Sequence, residues 1–308
     1  MSKNALSTWD QARDARTFGS IEIVRVIDMT DSRYTASMIY PEAEADEIRL
    51  LSRKLGPSHI DPDDLALLLS FHAFIIKTSK LTILLDTCIG NHKVRSEWPA
   101  WNNRNGPFLE NLDKQGLVPE DIDLVMCTHL HADHIGWNTR LVNGQWVPTF
   151  PNAQYLFSKR EYKFWKEYYG KNNDPVLYNS HVDSILPVVE SGQAVLIDCP
   201  YEAATGIHLQ PAYGHTPGNM ILEVGEGTKI HAVLCGDVMH HPVQLSHPEW
   251  STIFCEDPAM SREARLCLLR RFANTGTFLL PAHFQSPAYG PIERDGTVFR
   301  MKNSTGQV

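Results

Sequence analysis

Residues 128–137 read Thr-His-Leu-His-Ala-Asp-His-Ile-Gly-Trp and follow directly on the apolar run Ile122–Cys127. No other stretch narrows so far what the chain can fold into. His129, His131, Asp133 and His134 place four metal-ligating side chains within six positions. If the apolar run is a strand, period-two alternation turns His129 and His131 to one side. A chain that then enters a helix can aim Asp133 and His134 at a second point close by. Neutral imidazoles and a carboxylate suit zinc, and also iron, manganese or cobalt. The alternative is a surface loop that happens to hold three histidines, which leaves the strand before it and Ile135-Gly136 after it without a reason.

Composition sharpens this. The chain carries 14 histidines against six cysteines, Cys88, Cys127, Cys199, Cys235, Cys255 and Cys267, which stand singly with no C-x-x-C pair. That pattern fits neither a zinc ribbon nor a disulfide framework. With 308 residues, 43% of them apolar and 21% charged, the chain can bury a large core and is no disordered segment. A formal charge of −8 without a Lys/Arg run speaks against nucleic acid as a partner. Met1–Ser20 has no apolar core of the signal-peptide kind, and no 18-residue apolar stretch occurs, so the expectation is no membrane partner and a cytoplasmic location.

Short apolar, β-branched runs predict strands at Ile21–Ile27, Ala73–Ile76, Leu81–Leu85, Ile122–Cys127, Ala194–Ile197 and His231–Leu234. Apolar residues at three- and four-residue spacings predict helices over Ala43–Lys54, Pro107–Gln115 and Arg262–Ala273, the last with Ser261 as N-cap. Helices interrupting runs of strands make an α/β layered fold. No linker divides the chain, so residues 1–308 are expected to form one domain with an N-terminal extension over 1–20. Residues 159–184, rich in aromatic side chains among charges, could form a lid, a dimer interface or an amphipathic helix packed on the core.

The histidine segment resembles the H-x-H-x-D-H signature of the metallo-β-lactamase superfamily, and four further motifs follow that family's order. Leu84-Leu85-Asp86-Thr87 resembles its first motif. Tyr213-Gly214-His215-Thr216-Pro217-Gly218 resembles its G-H-T-x-G segment, Leu234-Cys235-Gly236-Asp237 its aspartate at a strand end, and Pro281-Ala282-His283 its last histidine. The resemblance implies an αββα sandwich, two mixed sheets flanked by helices, with a two-metal site at the sheet edges. Carried over residue by residue, one metal is held by His129, His131 and His215 and the other by Asp133, His134 and His283, with Asp237 bridging. Asp86 is implied to hydrogen-bond a ligand histidine and fix its orientation. Zinc is the first expectation for both ions, with manganese, iron or cobalt as alternatives. Cys235, on the face of the strand that Asp237 shares, reads as a core residue.

His240 stands where lactone-hydrolysing members of the family place a tyrosine, whereas methyl parathion hydrolase has a histidine in a similar place. His240 is therefore either a general acid to a leaving alkoxide, alongside Asp133 as the proton-handling carboxylate, or a packing residue. Trp137 either walls the substrate pocket or belongs to the core. The resemblance implies a binuclear metal-dependent hydrolase whose bridging hydroxide attacks a small lactone or ester. Phosphotriester hydrolysis is the alternative with the same machinery, and a single-iron oxidoreductase is the alternative of another class. A small molecule is the expected partner, with a homodimer as the expected assembly if 159–184 is an interface.

Overall fold

The computed structural model describes residues 14–169, 175–286, 289–303 and 306–307. A hairpin of β1 (Ala15–Phe18) and β2 (Ile21–Tyr34) opens the described chain. Along β2, Ile21 and Ile23 face one side and Val24 and Val26 the other, and all four are buried. A strand apolar on both faces needs cover on both faces. It joins β3 (Leu67–Lys77), β4 (Thr82–Leu85), β5 (Leu124–Met126), β8 (Gln154–Ser158) and β9 (Ala194–Ile197) in a seven-stranded sheet of order β1-β2-β3-β4-β5-β8-β9, while β6 (Thr139–Val142) and β7 (Gln145–Pro148) form a separate hairpin. The pairs from β1 to β4 are antiparallel and those from β4 to β9 parallel.

The second sheet runs in chain order from β10 (Tyr201–Ala204) and β11 (Ile207–Pro211) through β12 (Met220–Glu226), β13 (Lys229–Gly236) and β14 (Phe278–Pro281) to β15 (Gly290–Asp295), β16 (Val298–Asn303) and β17 (Gly306–Gln307). Only β13 and β14 pair in parallel. The inner faces of the two sheets meet in one apolar layer, with Ile23, Phe74, Ile83 and Met126 from the first against Leu222, Ala232, Leu234 and Leu280 from the second. Alternate residues of the same strands, Val233 and Cys235 among them, face outward under helix cover. Cys235 is thus core, as its position on the strand suggests.

The helices are α1 (Ala36–Ile39), α2 (Ala45–Leu55), α3 (Phe108–Asp113), α4 (Ala132–Ile135), α5 (Lys159–Tyr169), α6 (Pro175–Ser184), α7 (Leu186–Glu190), α8 (Val243–Ser246) and α9 (Pro258–Phe272). Residues of α3, α5 and α7 cover the outer face of the first sheet and α9 that of the second, which gives the αββα layering. Two boundaries differ from the sequence reading. Ala15–Phe18 is the edge strand of a sheet and not part of an extension, because it pairs with β2 and buries Ala15, Arg16 and Phe18. Helix α9 begins at Pro258, with Asp257 as its N-cap accepting the Met260 N–H at 2.9 Å, because proline suits the first helical position. Ser261 is instead a buried residue inside the helix. Among the described residues no helix is long and apolar enough to cross a membrane.

Candidate metal centre

The parallel pairs β4–β5 and β13–β14 end at the same edge of the sandwich. Leu85 of β4 lies beside Met126 of β5, so Asp86 and the 128–131 segment leave the first sheet together. In the second sheet Gly236 of β13 lies beside Pro281 of β14, which brings out Asp237 and His283 side by side. After β5 the backbone bends at Thr128 and His129, is extended again at His131 and then turns into α4, carrying Asp133 and His134. Gly136 ends that turn against the 86–90 loop: a Cβ there would sit 1.8 Å from the Ile89 carbonyl oxygen, so no larger residue fits. His215 enters from the loop after β11.

Seven side chains meet in two groups. The donor atoms of His129, His131, His215 and Asp237 all lie within 4.8 Å of one another, and so do those of Asp133, His134 and His283. His215 Nε2 is 3.1 Å from His129 Nε2 and 2.9 Å from His131 Nδ1, and His134 Nε2 is 3.2 Å from His283 Nε2. Asp237 lies between the groups. Its Oδ1 faces His283 at 3.0 Å and His134 at 3.2 Å, while its Oδ2 faces His215 at 3.2 Å and His129 at 3.8 Å.

These residues fit divalent metal ions. A tetrahedral ion with imidazole nitrogens at about 2.0–2.1 Å separates them by about 3.3 Å, close to the spacings found. Asp237 Oδ1 is buried with no hydrogen-bond donor, a costly state that a cation relieves. Burial and the neighbouring imidazoles hold His129 and His131 well below the ordinary histidine value, in the neutral form a metal requires. Against the cost of its own burial, Asp237 is kept well below the usual carboxylate range by His134, His283, His240 and His215. Burial likewise opposes charge on His215, yet Asp237 raises it to about 10. A cation competes with that proton for the same lone pair.

The far nitrogens of the histidines are held from behind. Asp86 Oδ2 accepts from His134 Nδ1 at 2.9 Å, and its oxygens also accept the Thr128 N–H at 2.7 Å and the Thr128 hydroxyl at 2.9 Å. That hydroxyl in turn lies 3.1 Å from His129 Nδ1, so one carboxylate orients a histidine of each group. His283 Nδ1 donates to the Ser70 carbonyl at 3.1 Å, and His215 Nδ1 meets the Cys255 thiol at 3.5 Å. The contact with His215 pulls the buried Cys255 thiol down to about 7 against its desolvation. Sequence reasoning missed Ser70 and Cys255.

Two site readings change. His240 Nε2 lies 3.1 Å from Asp237 Oδ2, so it borders the centre, but burial pushes it down to about 3. It is a neutral imidazole there, not the imidazolium that a general acid of ordinary pKa would be. Trp137 is a core residue and not a pocket wall: it is 4% exposed, stacks on Phe108 at 5.5 Å and points its indole N–H at Asp28. Within residues 159–184, α5 turns Glu161, Trp165 and Tyr169 inward at four-residue spacing, so this helix packs its aromatic stripe on the core. The Trp165 ring lies 5.4 Å from that of His131. Tyr178 lies outside the residues whose side chains are described.

Comparison with known proteins agrees with this geometry. The profile of the metallo-β-lactamase superfamily matches residues 71–283. Metallo-beta-lactamase domain-containing protein 1 of Xenopus laevis is 25% identical over 203 residues, 66% of each chain. An N-acyl homoserine lactonase of Bacillus cereus is 26% identical over 190 residues, 56% of this chain and 65% of the relative. The chain thus spans about two thirds of the length of these two curated relatives. Among solved structures, the hydrolase AbOPH superposes with a TM-score of 0.77 at 23% identity, covering 92% of this chain and 94% of the other. AidC, a dizinc quorum-quenching lactonase, superposes with 0.75 at 21% identity over 96% and 97%. With a family profile spanning all seven clustered side chains and an αββα sandwich carrying them at one edge, the chain belongs to the metallo-β-lactamase superfamily.

Proposed function

We propose that this chain is a metal-dependent hydrolase that holds two divalent cations, zinc by first expectation, and cleaves a small lactone or ester. The observation that carries the reading is Asp237, whose two carboxylate oxygens face separate groups of ligands. His129, His131 and His215 would hold one ion, Asp133, His134 and His283 the other, and Asp237 both. Ions so held supply a nucleophile at neutral pH and electrostatic stabilisation of a developing oxyanion.

The chain's own residues do the rest. Asp133, the carboxylate of the centre with the more exposed side chain, is placed to carry a proton between substrate and solvent. His240, neutral beside Asp237, turns its Nε2–H to Asp237 Oδ2 and orients that carboxylate. From His283 a series of aromatic rings leads outward: Phe71 at 4.9 Å, Trp101 at 5.5 Å from Phe71, and the half-buried Trp98 stacked on Trp101 at 5.0 Å. Phe71 and Trp101 are themselves buried in an apolar core cluster, so this series backs His283, and only Trp98 reaches partly toward solvent. Relatives named N-acyl homoserine lactonase support carbonyl chemistry.

Elemental analysis of purified protein, followed by turnover of lactones, aryl esters and phosphotriesters on the same preparation, tests the reading. Two ions per chain and a higher kcat/KM for lactone or ester than for phosphotriester support it. A preference for phosphotriesters moves the reaction to phosphorus. One iron per chain with oxygen consumption replaces hydrolysis by oxidation.

A further inference from the structure

We infer that Glu161 is a positioning residue that clamps together the two loops carrying His129, His131 and His215, and so sets the affinity of that half of the centre. The inference rests on reading the cluster as a metal centre. Glu161 lies in the first turn of α5, is 1% exposed, and has no ion-pair partner among the described residues. Its Oε1 accepts the backbone N–H of Leu130 at 3.1 Å, between His129 and His131, and the indole N–H of Trp165 at 2.6 Å. Its Oε2 accepts the backbone N–H of Gly218 at 2.8 Å, three residues after His215. One buried carboxylate therefore ties 130 to 218, one position in each of the two segments that supply His129, His131 and His215.

The approach of the second loop is built for this contact. A Cβ on Gly218 would meet the Glu161 backbone nitrogen at 2.4 Å, so only glycine lets the loop come close enough for its N–H to reach the carboxylate. Trp165, held by the same carboxylate, presses its ring on His131. These three partners are donors; burial pushes the Glu161 carboxyl up, the hydrogen bonds from Trp165, Leu130, Thr216 and Gly218 oppose that shift by favouring the ionised form, and an ionised carboxylate offers acceptors alone. A neutral amide cannot replace it: whichever way it turns, its NH2 meets at least one N–H. The group formed by Asp133, His134 and His283 has its own supports, Asp86 and the Ser70 carbonyl, and receives none from Glu161.

The prediction is therefore a split between the two sites. Metal-free protein is titrated with Zn2+ against a chromophoric chelator, and with Co2+ while its visible absorption is followed. In Glu161→Gln one equivalent weakens about 10–100-fold, as for other partners that orient ligands, with a changed Co2+ spectrum for that equivalent, while the second equivalent stays within twofold of wild type. Trp165→Phe, which removes one donor and keeps the ring, shows a smaller loss at the same equivalent, and Gly218→Ala reproduces the Glu161→Gln pattern. If Glu161→Gln does not fold, the other two variants carry the test. Equal weakening of both equivalents, tracking a lowered denaturation midpoint of the metal-free protein, reduces Glu161 to a general brace and overturns the inference, as does unchanged binding. Wild-type protein that binds neither metal overturns the metal-centre reading itself.

Discussion

Asp86→Asn puts the orientation of the centre to the test from the opposite side. The carboxylate takes three donors, the Thr128 N–H, the Thr128 hydroxyl and His134 Nδ1, at 2.7, 2.9 and 2.9 Å. An asparagine keeps one acceptor oxygen, and the Thr128 N–H and hydroxyl claim it. Its NH2 then faces His134 and donates to Nδ1, which drives the ring proton to Nε2, the nitrogen that points at Asp237 and His283. A ligand held in the wrong tautomer must move that proton before binding. The expected loss is about 10–100-fold in affinity for one ion, or about 1.4–2.8 kcal/mol. His129 suffers less, because the Thr128 hydroxyl can still donate to the amide oxygen and accept from His129 Nδ1. The weakened equivalent should thus be that of Asp133, His134 and His283, the complement of the Glu161 effect. Chelator competition measures the two steps, and nitrogen-15 shifts of the His134 ring read the tautomer. Both equivalents within twofold of wild type, with an unchanged tautomer, would refute the reasoning.

Three further outcomes are expected. His240→Ala removes the N–H that faces Asp237 Oδ2 and should weaken metal binding about 10–100-fold; unchanged binding would make His240 a packing residue. Trp137→Ala should destabilise the protein by about 3–5 kcal/mol in denaturant unfolding with KM little changed, and a large KM shift without loss of stability would restore the pocket-wall reading. Lys93 is fully buried, with its ammonium donating to Thr139 Oγ1 at 2.6 Å and to the Asp183 carbonyl at 2.9 Å. Burial lowers it to about 7, with Asp183 only partly offsetting that cost. Its unfolded value is about 10.4, so the unfolded chain binds more protons between about pH 7 and pH 10. Wild type should therefore gain stability relative to Lys93→Met as pH rises through that window, by at most about 1.4 kcal/mol per pH unit; a difference independent of pH would contradict the burial argument.

What could be read from sequence follows from the range of the physics involved. The 128–137 segment was legible because its chemistry is local: a strand, a turn and a short helix place His129, His131, Asp133 and His134 by backbone geometry alone. His215, Asp237 and His283 needed the order of the remaining motifs, since their meeting depends on the parallel pairing of β13 with β14. Asp86 was legible from its motif, but Ser70 and Glu161 escape such reading because they act through or on backbone groups. Ser70 contributes only its carbonyl, which any residue has, and Glu161 reaches N–H groups 31 and 57 positions away. No residue type at those positions announces a partner. Glu161 left one trace, an acid on the inward stripe of an amphipathic helix, where leucine would be the ordinary choice. Trp137 erred in the other direction: a large aromatic beside a ligand segment suits a pocket wall and a core equally well. The choice fell to Phe108, a distant residue that stacks on it. Local pattern thus identifies the atoms that can bind a cation, whereas the stiffness with which they are held is decided by tertiary contacts, and for that reason the Glu161 variant tests the centre where sequence says least, and the Asp86 variant where a motif already pointed.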